Sequence, residues 1–241
     1  MRSLNMSNNF LLAPIPESAD YIINRDVKIA VLGSSGVGKT AMIVRFLTRR
    51  FIGDYESNTG NLYSRLVHLE GEQLFVQIQD TPCVQVGSDG SLVSEHTCKY
   101  IEWADGFLLV YSMTDYNSYR AIQVLHQHIR KVHPDSKVPV VIVANKGDLL
   151  HARQVQTSEG IQLANELGAV FSEISTSENC EDVYDVFQHL CKEVSKLQSQ
   201  YLAGEKRRGS LIPRPKSPNM QDLKRRFKQA LSSKVKSTGT L

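Results

Sequence analysis

The hydrophobic pattern of the chain alternates between short apolar runs and longer stretches with helical spacing. The runs that predict strands are 27–32, 106–112, 138–144 and 170–174, with a hairpin at 63–69 and 74–78. The stretches that predict helices are 41–47, 118–133, 157–168 and 180–197. Strands that alternate with helices predict an α/β fold with a mostly parallel sheet and one antiparallel edge hairpin.

Changes in composition divide the chain into three parts. Residues 1–26 contain Pro14, Pro16 and several Ser and Asn, and predict a flexible leader. Residues 27–200 carry the alternating pattern and predict one domain. From residue 201 to 241, Gly, Ser, Pro, Lys and Arg dominate, so the packed core is expected to end there. Within this tail, apolar positions at helical spacing predict a short amphipathic helix: Met220, Leu223, Phe227 and Leu231.

Charge is distributed unevenly along the chain. The net charge of +3 combines 11 Lys and Arg against 2 Asp and Glu in residues 202–241 with 17 basic and 23 acidic residues elsewhere. No apolar run approaches the roughly 20 residues that a membrane span needs, and the N-terminal apolar stretch is too short for a signal peptide. The four cysteines form no C-x-x-C pair, which argues against a zinc or redox motif and favours reduced intracellular thiols.

A glycine-rich loop lies between the first predicted strand and the first predicted helix. Its residues match G-x-x-x-x-G-K-[ST]: Gly33, Ser34, Ser35, Gly36, Val37, Gly38, Lys39 and Thr40. Glycines let the backbone wrap phosphates, whose charge is held by N–H groups and a helix N-terminus. We expect Lys39 to reach the β- and γ-phosphates and Thr40 to ligate Mg²⁺. An ordinary Gly-rich turn is the alternative, and the Lys-Thr pair disfavours it.

A second motif, Asn145-Lys146-Gly147-Asp148, follows the predicted strand 138–144. The Asp148 carboxylate can accept two hydrogen bonds, from N1 and from the exocyclic amino group of guanine. Adenine lacks this donor pair, so the wrong base would leave a buried charge unpaired. If the motif stood alone, a turn would be the better explanation. Together with a phosphate loop it predicts selective binding of guanine nucleotides.

A third segment, Asp80-Thr81-Pro82, follows the second strand of the predicted hairpin. An acidic residue at this place would support Mg²⁺ through a water molecule, and we assign Asp80 and Thr81 to the nucleotide site. By itself the tripeptide is consistent with a turn, and only its position makes it informative.

With these motifs, residues 25–197 resemble the Ras-type small GTPases, and more narrowly the A and B types of the member-11 group of Ras-like proteins. The segments that carry the narrower resemblance are Phe10–Ser18, Phe51–Glu56, His128–Lys137, Ala144–Gln156 and Asn219–Leu231. The resemblance implies a P-loop NTPase G domain with a six-stranded sheet that binds GTP or GDP with Mg²⁺. It also implies that Phe51 stacks on guanine and that Ser175, Thr176 and Ser177 form the loop that contacts the base.

Departures from the family pattern concern hydrolysis. Ser35 stands where Ras-type catalysts have glycine, and its side chain would crowd an incoming arginine finger. After Asp-Thr, the family's Ala-Gly-Gln reads Pro82-Cys83-Val84, so the hinge glycine and the water-orienting Gln are both replaced. Gln85, one residue late, is the candidate substitute, and Lys39 is the other candidate catalytic residue.

The first switch departs in the same way. The Mg²⁺-binding Thr of the family aligns with Asn58, and Thr59 lies one place late, as the candidate metal ligand. The metal set expected from the sequence is therefore Thr40, Thr59 and Asp80, the last through water. The parts for nucleotide binding are kept, and the parts for hydrolysis are damaged.

Two functions remain open at this point. The first is a regulatory switch or recruiter that hydrolyses GTP slowly, as a weak monomeric GTPase with an unidentified effector protein, active in nuclear or nucleolar transcription regulation. The second is a catalytically impaired, GTP-bound interaction module recruited by its basic tail to nucleic acid or acidic membrane.

The tail also carries the expectations about location. Basic residues alternate with its apolar positions, which suits nucleic acid, a chromatin-associated protein or an acidic membrane. The last four residues contain no cysteine, so we expect no prenyl anchor. Without a lipid, membrane binding is weak, which favours the nucleus, with the nucleolus as a candidate compartment, over the plasma membrane and leaves the cytoplasm open.

Overall fold

The computed structural model describes residues 25–52, 60–69, 71–84, 95–134 and 137–209. Its strands are β1 (Arg25–Leu32), β2 (Leu62–Leu69), β3 (Glu72–Asp80), β4 (Gly106–Ser112), β5 (Val140–Asn145) and β6 (Val170–Glu173). Its helices are α1 (Lys39–Thr48), α2 (Glu95–Trp103), α3 (Tyr116–Val132), α4 (Thr157–Leu167) and α5 (Cys180–Gly209), with a 3₁₀ turn at Leu150–Ala152. Residues 1–24 of the predicted leader and the predicted tail helix lie outside the described residues, whereas Arg25 and Asp26, also assigned to the leader, belong to β1.

The six strands form one sheet in the order β2-β3-β1-β4-β5-β6. Strands β2 and β3 pair antiparallel, and every other neighbouring pair is parallel. This confirms the predicted α/β fold with its edge hairpin. Because the parallel strands β3, β1, β5 and β6 point the same way, the segments that follow them meet at one edge of the sheet.

Apolar side chains cover both faces of the sheet. On one face, Val27, Ile29 and Val31 of β1 belong to a buried cluster with side chains of α1 and α5. The alternate β1 residues Ala30 and Leu32 belong to a second cluster with side chains of α3 and α4. Burial on both faces explains why the central strands are continuous apolar runs rather than alternating ones.

Helix ends follow local signals in the sequence. Asp115 caps α3 by accepting a hydrogen bond from the Asn117 backbone N–H at 3.0 Å. Helix α4 starts at a capping box between Gln156 and Glu159, and it ends at Gly168, whose φ is +64°. Gly168 is the residue at which the sequence predicts that helix to end.

Two helices differ from the prediction. Helix α2 was not predicted, because its Glu95–Trp103 sequence buries few apolar residues and has weak helical periodicity. Helix α5 runs to Gly209 instead of ending at Leu197, since no proline interrupts the stretch. The chain divides into two units, Met1–Ser195 and Lys196–Leu241, and every contact discussed below lies within the first. Among the described helices, none has the length and apolar character of a membrane span.

Candidate functional site

The loop between β1 and α1 is shaped by two glycines. Gly33 has φ +157°, and a Cβ there would lie 2.2 Å from the Val110 carbonyl oxygen. Gly38 has φ +98°, and a Cβ there would lie 2.4 Å from the Asn145 Nδ2 atom. Neither position accepts a side chain without displacing a neighbour. The loop is therefore fixed against β4 on one side and against the segment after β5 on the other.

Lys39 turns its side chain back into this loop. It is 7% exposed, and its Nζ donates hydrogen bonds to the carbonyl oxygens of Gly33 at 2.9 Å and Ser34 at 3.0 Å. Burial lowers the pKa of Lys39, and the charges of Asp80 and Cys83 oppose that shift. The loop thus holds a buried amine beside its own backbone, where a phosphate would supply the missing negative charge.

Thr40 and Asp80 form the second part of the site. The Thr40 hydroxyl donates a 2.5 Å hydrogen bond to Asp80 Oδ2. Asp80 is 3% exposed, and its Oδ1 has no hydrogen-bond partner among the described residues. Burial raises the pKa of Asp80, and the Thr40 hydrogen bond and the Lys39 charge counteract this. A buried carboxylate oxygen with no donor fits a hydroxyl–carboxylate site for Mg²⁺, whose preferred ligands are oxygens.

Asn145 ties three segments together. Its Nδ2 donates to the Val37 carbonyl oxygen at 2.8 Å, across 108 positions in sequence. Its Oδ1 accepts hydrogen bonds from the Thr176 backbone N–H at 3.1 Å and hydroxyl at 2.9 Å. Asn145 is buried, so the phosphate loop and the loop after β6 have a fixed separation. Such a fixed separation is what a site needs to recognise a phosphate and a base in one molecule.

The Asp148 carboxylate is oriented by the same loop. Its Oδ1 accepts a hydrogen bond from the Ser175 hydroxyl at 2.7 Å, and that hydroxyl is 2.9 Å from the Ser177 hydroxyl. Asp148 is half-buried, so the rest of the carboxylate is available to a ligand. Lys146, between these groups, has φ +70°. Phe51, the residue expected to stack on the base, is 46% exposed.

The segment after β3 is hydrogen-bonded to the end of β1 and to the start of the phosphate loop. The Thr81 hydroxyl donates to the Val31 carbonyl oxygen at 2.7 Å, and the Val84 N–H donates to the Gly33 carbonyl oxygen at 3.3 Å. The Val84 side chain is 5% exposed and belongs to the apolar cluster on that face of the sheet. Val84 therefore contributes to the core, and Ser35 remains exposed on the loop.

The structure thus brings most of the predicted residues to one edge of the sheet. These are the loop residues 33–40, Asp80 and Thr81, the motif at Asn145, Lys146 and Asp148, and Ser175, Thr176 and Ser177. Thr59 and Gln85, with Asn58, lie outside the described residues, so the predictions about the first-switch ligand and the substitute catalytic Gln stay predictions.

Sequence reasoning missed Gln79. This side chain is buried, and its Nε2 donates to the carbonyl oxygens of Gly60 at 2.8 Å and Asp80 at 3.0 Å. It therefore holds the chain entering β2 against the end of β3, beside the Asp80 carboxylate. In the sequence Gln79 occupies a polar position of the alternating pattern of β3, so nothing marks it as buried.

Comparison with known proteins agrees with this geometry. A family model described as "Ras family" matches residues 28–196. The chain belongs to the Ras family. Members of this family bind GTP and GDP with Mg²⁺ and hydrolyse GTP. The residues around the loop fit both the nucleotide and the metal ion.

Individual relatives narrow the placement within the Ras family. The chain is 70% identical over 243 residues to Ras-like protein family member 11A of Rattus norvegicus and equally to that of Homo sapiens, with both chains covered completely. It is 60% identical over 212 residues to Ras-like protein family member 11B of Homo sapiens, covering 88% of this chain and 86% of that one. The resemblance to the member-11 group is therefore confirmed.

Two glycine variants test how the Ras-family loop is fixed. Gly38→Ala should destabilise the protein more than Gly36→Ala, by at least about 1 kcal/mol. Both residues have positive φ, but a Cβ at Gly36 would have no neighbour within 4 Å, whereas one at Gly38 meets the Asn145 side chain. The pair therefore separates backbone strain from collision. Equal midpoints in chemical denaturation would contradict the close contact between loop and motif.

Proposed function

We propose that this protein is a guanine-nucleotide-dependent regulatory protein that hydrolyses GTP slowly and acts by recruiting an effector in its GTP-bound form. The observation that carries the proposal is the Asn145 side chain, which joins the phosphate loop to the loop that orients Asp148. A nucleotide that spans both would meet Lys39 at its phosphates and Asp148 at its base.

Different residues of the chain would bind the phosphates, the metal ion and the base of the nucleotide. Lys39 neutralises phosphate oxygens, and the backbone N–H groups of the loop cradle them. Thr40 and Asp80 would hold Mg²⁺, which when bound neutralises charge that develops on the phosphates. Asp148, oriented by Ser175, selects guanine by accepting from its two neighbouring donors.

Slow hydrolysis follows from the environment of Val84. The residue at this place in Ras-type catalysts orients the attacking water, but Val84 has no polar group and is buried in the core. Ser35 adds a side chain at the position that an activating arginine would approach. Single-turnover hydrolysis of GTP, with and without an activating protein, tests this part of the proposal.

The environment of Val84 also favours the second candidate function, an interaction module in which GTP turnover is incidental. A GTP-bound form that persists would present its surfaces for long periods, and the basic tail would bring it to an acidic target. Hydrolysis distinguishes the two, since a switch turns over within its signalling period and a module does not.

We also propose that the tail directs the protein to polyanions in the nucleus. Residues 202–241 carry 11 Lys and Arg against 2 Asp and Glu, and the rest of the chain is acidic. If roughly six of these cations contact phosphates, affinity for duplex DNA should fall about 10³-fold between about 50 and 200 mM salt. Phe227 is the one aromatic residue in this stretch, so we expect little sequence preference.

A matched pair of variants tests the tail. Charge reversal at Lys224, Arg225 and Arg226 should flatten the salt dependence and release the protein from nuclei. The control reverses three exposed cations of the folded domain, Lys99, Arg120 and Lys137. A deletion should begin after Gly209 so that α5 keeps its length. Unchanged nuclear retention in both tail variants would discard the proposal, and binding to anionic vesicles instead of DNA would replace nucleic acid by membrane.

A further inference from the structure

The thiol of Cys83 lies in a segment that is fixed against the phosphate loop. On one side of it, the Thr81 hydroxyl is bonded to the Val31 carbonyl oxygen at 2.7 Å. On the other side, the Val84 N–H is bonded to the Gly33 carbonyl oxygen at 3.3 Å. Cys83 itself is half-buried. These two hydrogen bonds, made by residues on either side of Cys83, therefore hold this cysteine beside the start of the loop.

Cys83 is also a neighbour of the amine that would bind phosphate. The Gly33 carbonyl oxygen that accepts from Val84 also accepts from Lys39 Nζ at 2.9 Å. Three influences act on the pKa of Lys39: burial lowers it, and the charges of Asp80 and then Cys83 raise it. The Gly33 carbonyl oxygen is thus shared by the residue after Cys83 and by the Lys39 amine, and the charge of Cys83 acts on that amine.

A second observation shows that this place is built to receive a ligand. Asp80, the other acidic neighbour of Lys39, is 97% buried, and its Oδ1 has no hydrogen-bond partner among the described residues. Such an atom calls for a cation or for a donor from beyond the described residues. Lys39, Thr40 and Asp80 thus form one cradle that fits a phosphate with its metal, and Cys83 lies next to Val84, which is hydrogen-bonded to the start of that loop.

We propose that Cys83 is a modification site of the nucleotide cradle, where a bound nucleotide shields the thiol and a mixed disulfide on Sγ excludes the nucleotide. The inference rests on the proposed function, since it requires that a nucleotide occupies the cradle. The modifying reagent is a low-molecular-weight disulfide of the glutathione type, which is itself anionic and would meet Lys39 as a phosphate does.

The chemistry is thiol–disulfide exchange. The Cys83 thiolate attacks one sulfur of the disulfide, the disulfide bond breaks, and a new bond forms between Cys83 Sγ and that sulfur. The second sulfur leaves as a thiolate and takes up the proton released by Cys83. Cys83 is oxidised, half of the disulfide is reduced, and an added thiol reverses the step.

The other cysteines supply internal references. Cys191 is fully buried, and burial raises the pKa of its thiol to about 12, which makes it unreactive. Cys98 on α2 and Cys180 at the start of α5 are half-buried, like Cys83, but neither is among the charges that act on Lys39. The rates at which Cys98 and Cys180 are modified therefore report general access of the reagent and local opening of the fold, independently of the nucleotide cradle.

The experiment treats the full chain with glutathione disulfide and follows each cysteine by peptide mass spectrometry, while a fluorescent guanine nucleotide reports binding in the same sample. With a non-hydrolysable GTP analogue at about 100 times its Kd, modification of Cys83 should slow at least about tenfold, because only the free form reacts. Cys98 and Cys180 should change less than about twofold. In the converse arm, protein modified at Cys83 should lose nucleotide binding and recover it on addition of thiol.

Three results would overturn the inference. Cys83 could be modified equally fast in the bound form, the modified protein could keep its nucleotide, or Cys83→Ser could lose nucleotide on treatment as the unsubstituted chain does. If the fluorescent nucleotide does not bind before treatment, the proposed function fails first. If the nucleotide binds but does not slow the modification of Cys83, only the inference about the thiol is contradicted.

Discussion

GTP hydrolysis by this protein, assayed with a Ras-type activating protein, is expected to be about 10³- to 10⁵-fold slower than a complete set of catalytic parts allows. Two observations support this expectation. Val84 is apolar and 5% exposed, so its side chain has no group that could hydrogen-bond to a water molecule and orient it. Ser35 is exposed on the phosphate loop, at the place where an arginine from an activator would enter.

The double variant Ser35→Gly, Val84→Gln should recover part of that rate in single-turnover assays with the activator. Because Val84 belongs to an apolar cluster, a Gln there must leave the core to reach water, and the thermal midpoint should fall. Each single variant is the control for the other. Brisk activator-stimulated turnover by the unsubstituted chain would show that these positions do not limit hydrolysis.

Asp148→Asn should lower affinity for GTP about 30- to 1,000-fold, which corresponds to about 2–4 kcal/mol. The carboxylate offers two acceptors to two guanine donors, whereas an amide offers one acceptor and one donor. Xanthine carries a carbonyl where guanine has its amino group, so the variant should prefer the xanthine nucleotide. The Ser175 hydroxyl, 2.7 Å from Asp148 Oδ1, can bond to either end of the amide, and the side chain keeps its place.

Competition against a fluorescent guanine nucleotide measures this exchange of specificity. Asp185→Asn, an exposed carboxylate on α5, is the matched control and should leave both affinities unchanged. A loss of all nucleotide binding, with no gain for xanthine, would instead mean that Asp148 supports the loop rather than reads the base.

The strands could be predicted because burial on both faces leaves a plain signal. Gly106–Ser112 is buried at every position, and the predicted bounds are those observed. Gly33 and Gly38 could be assigned to a phosphate loop because they belong to a motif of eight consecutive residues whose spacing suits phosphate binding. A motif of this kind lies in consecutive residues, so the sequence alone reveals it.

Features that depend on contacts across the fold could not be predicted. The sequence indicates that Val84 cannot orient water, but only the packing shows that it contributes to the core. Gln79 contacts Gly60 because β2 pairs with β3, and Cys83 lies beside the phosphate loop because β3 lies parallel to β1. Helix α2 has too few buried apolar positions for periodicity to reveal it, and α5 continues past Leu197 through a stretch that contains no proline.

In the proposed function, one edge of the sheet binds a phosphate and recognises guanine at a fixed separation. This proposal is tested most directly by displacing a fluorescent GDP from the purified full chain, in the presence of Mg²⁺, with increasing GTP or ATP. We expect GTP to displace the probe at concentrations at least about 10²-fold lower than ATP, because ATP leaves the Asp148 carboxylate unpaired. Displacement by both nucleotides at the same concentration would contradict it.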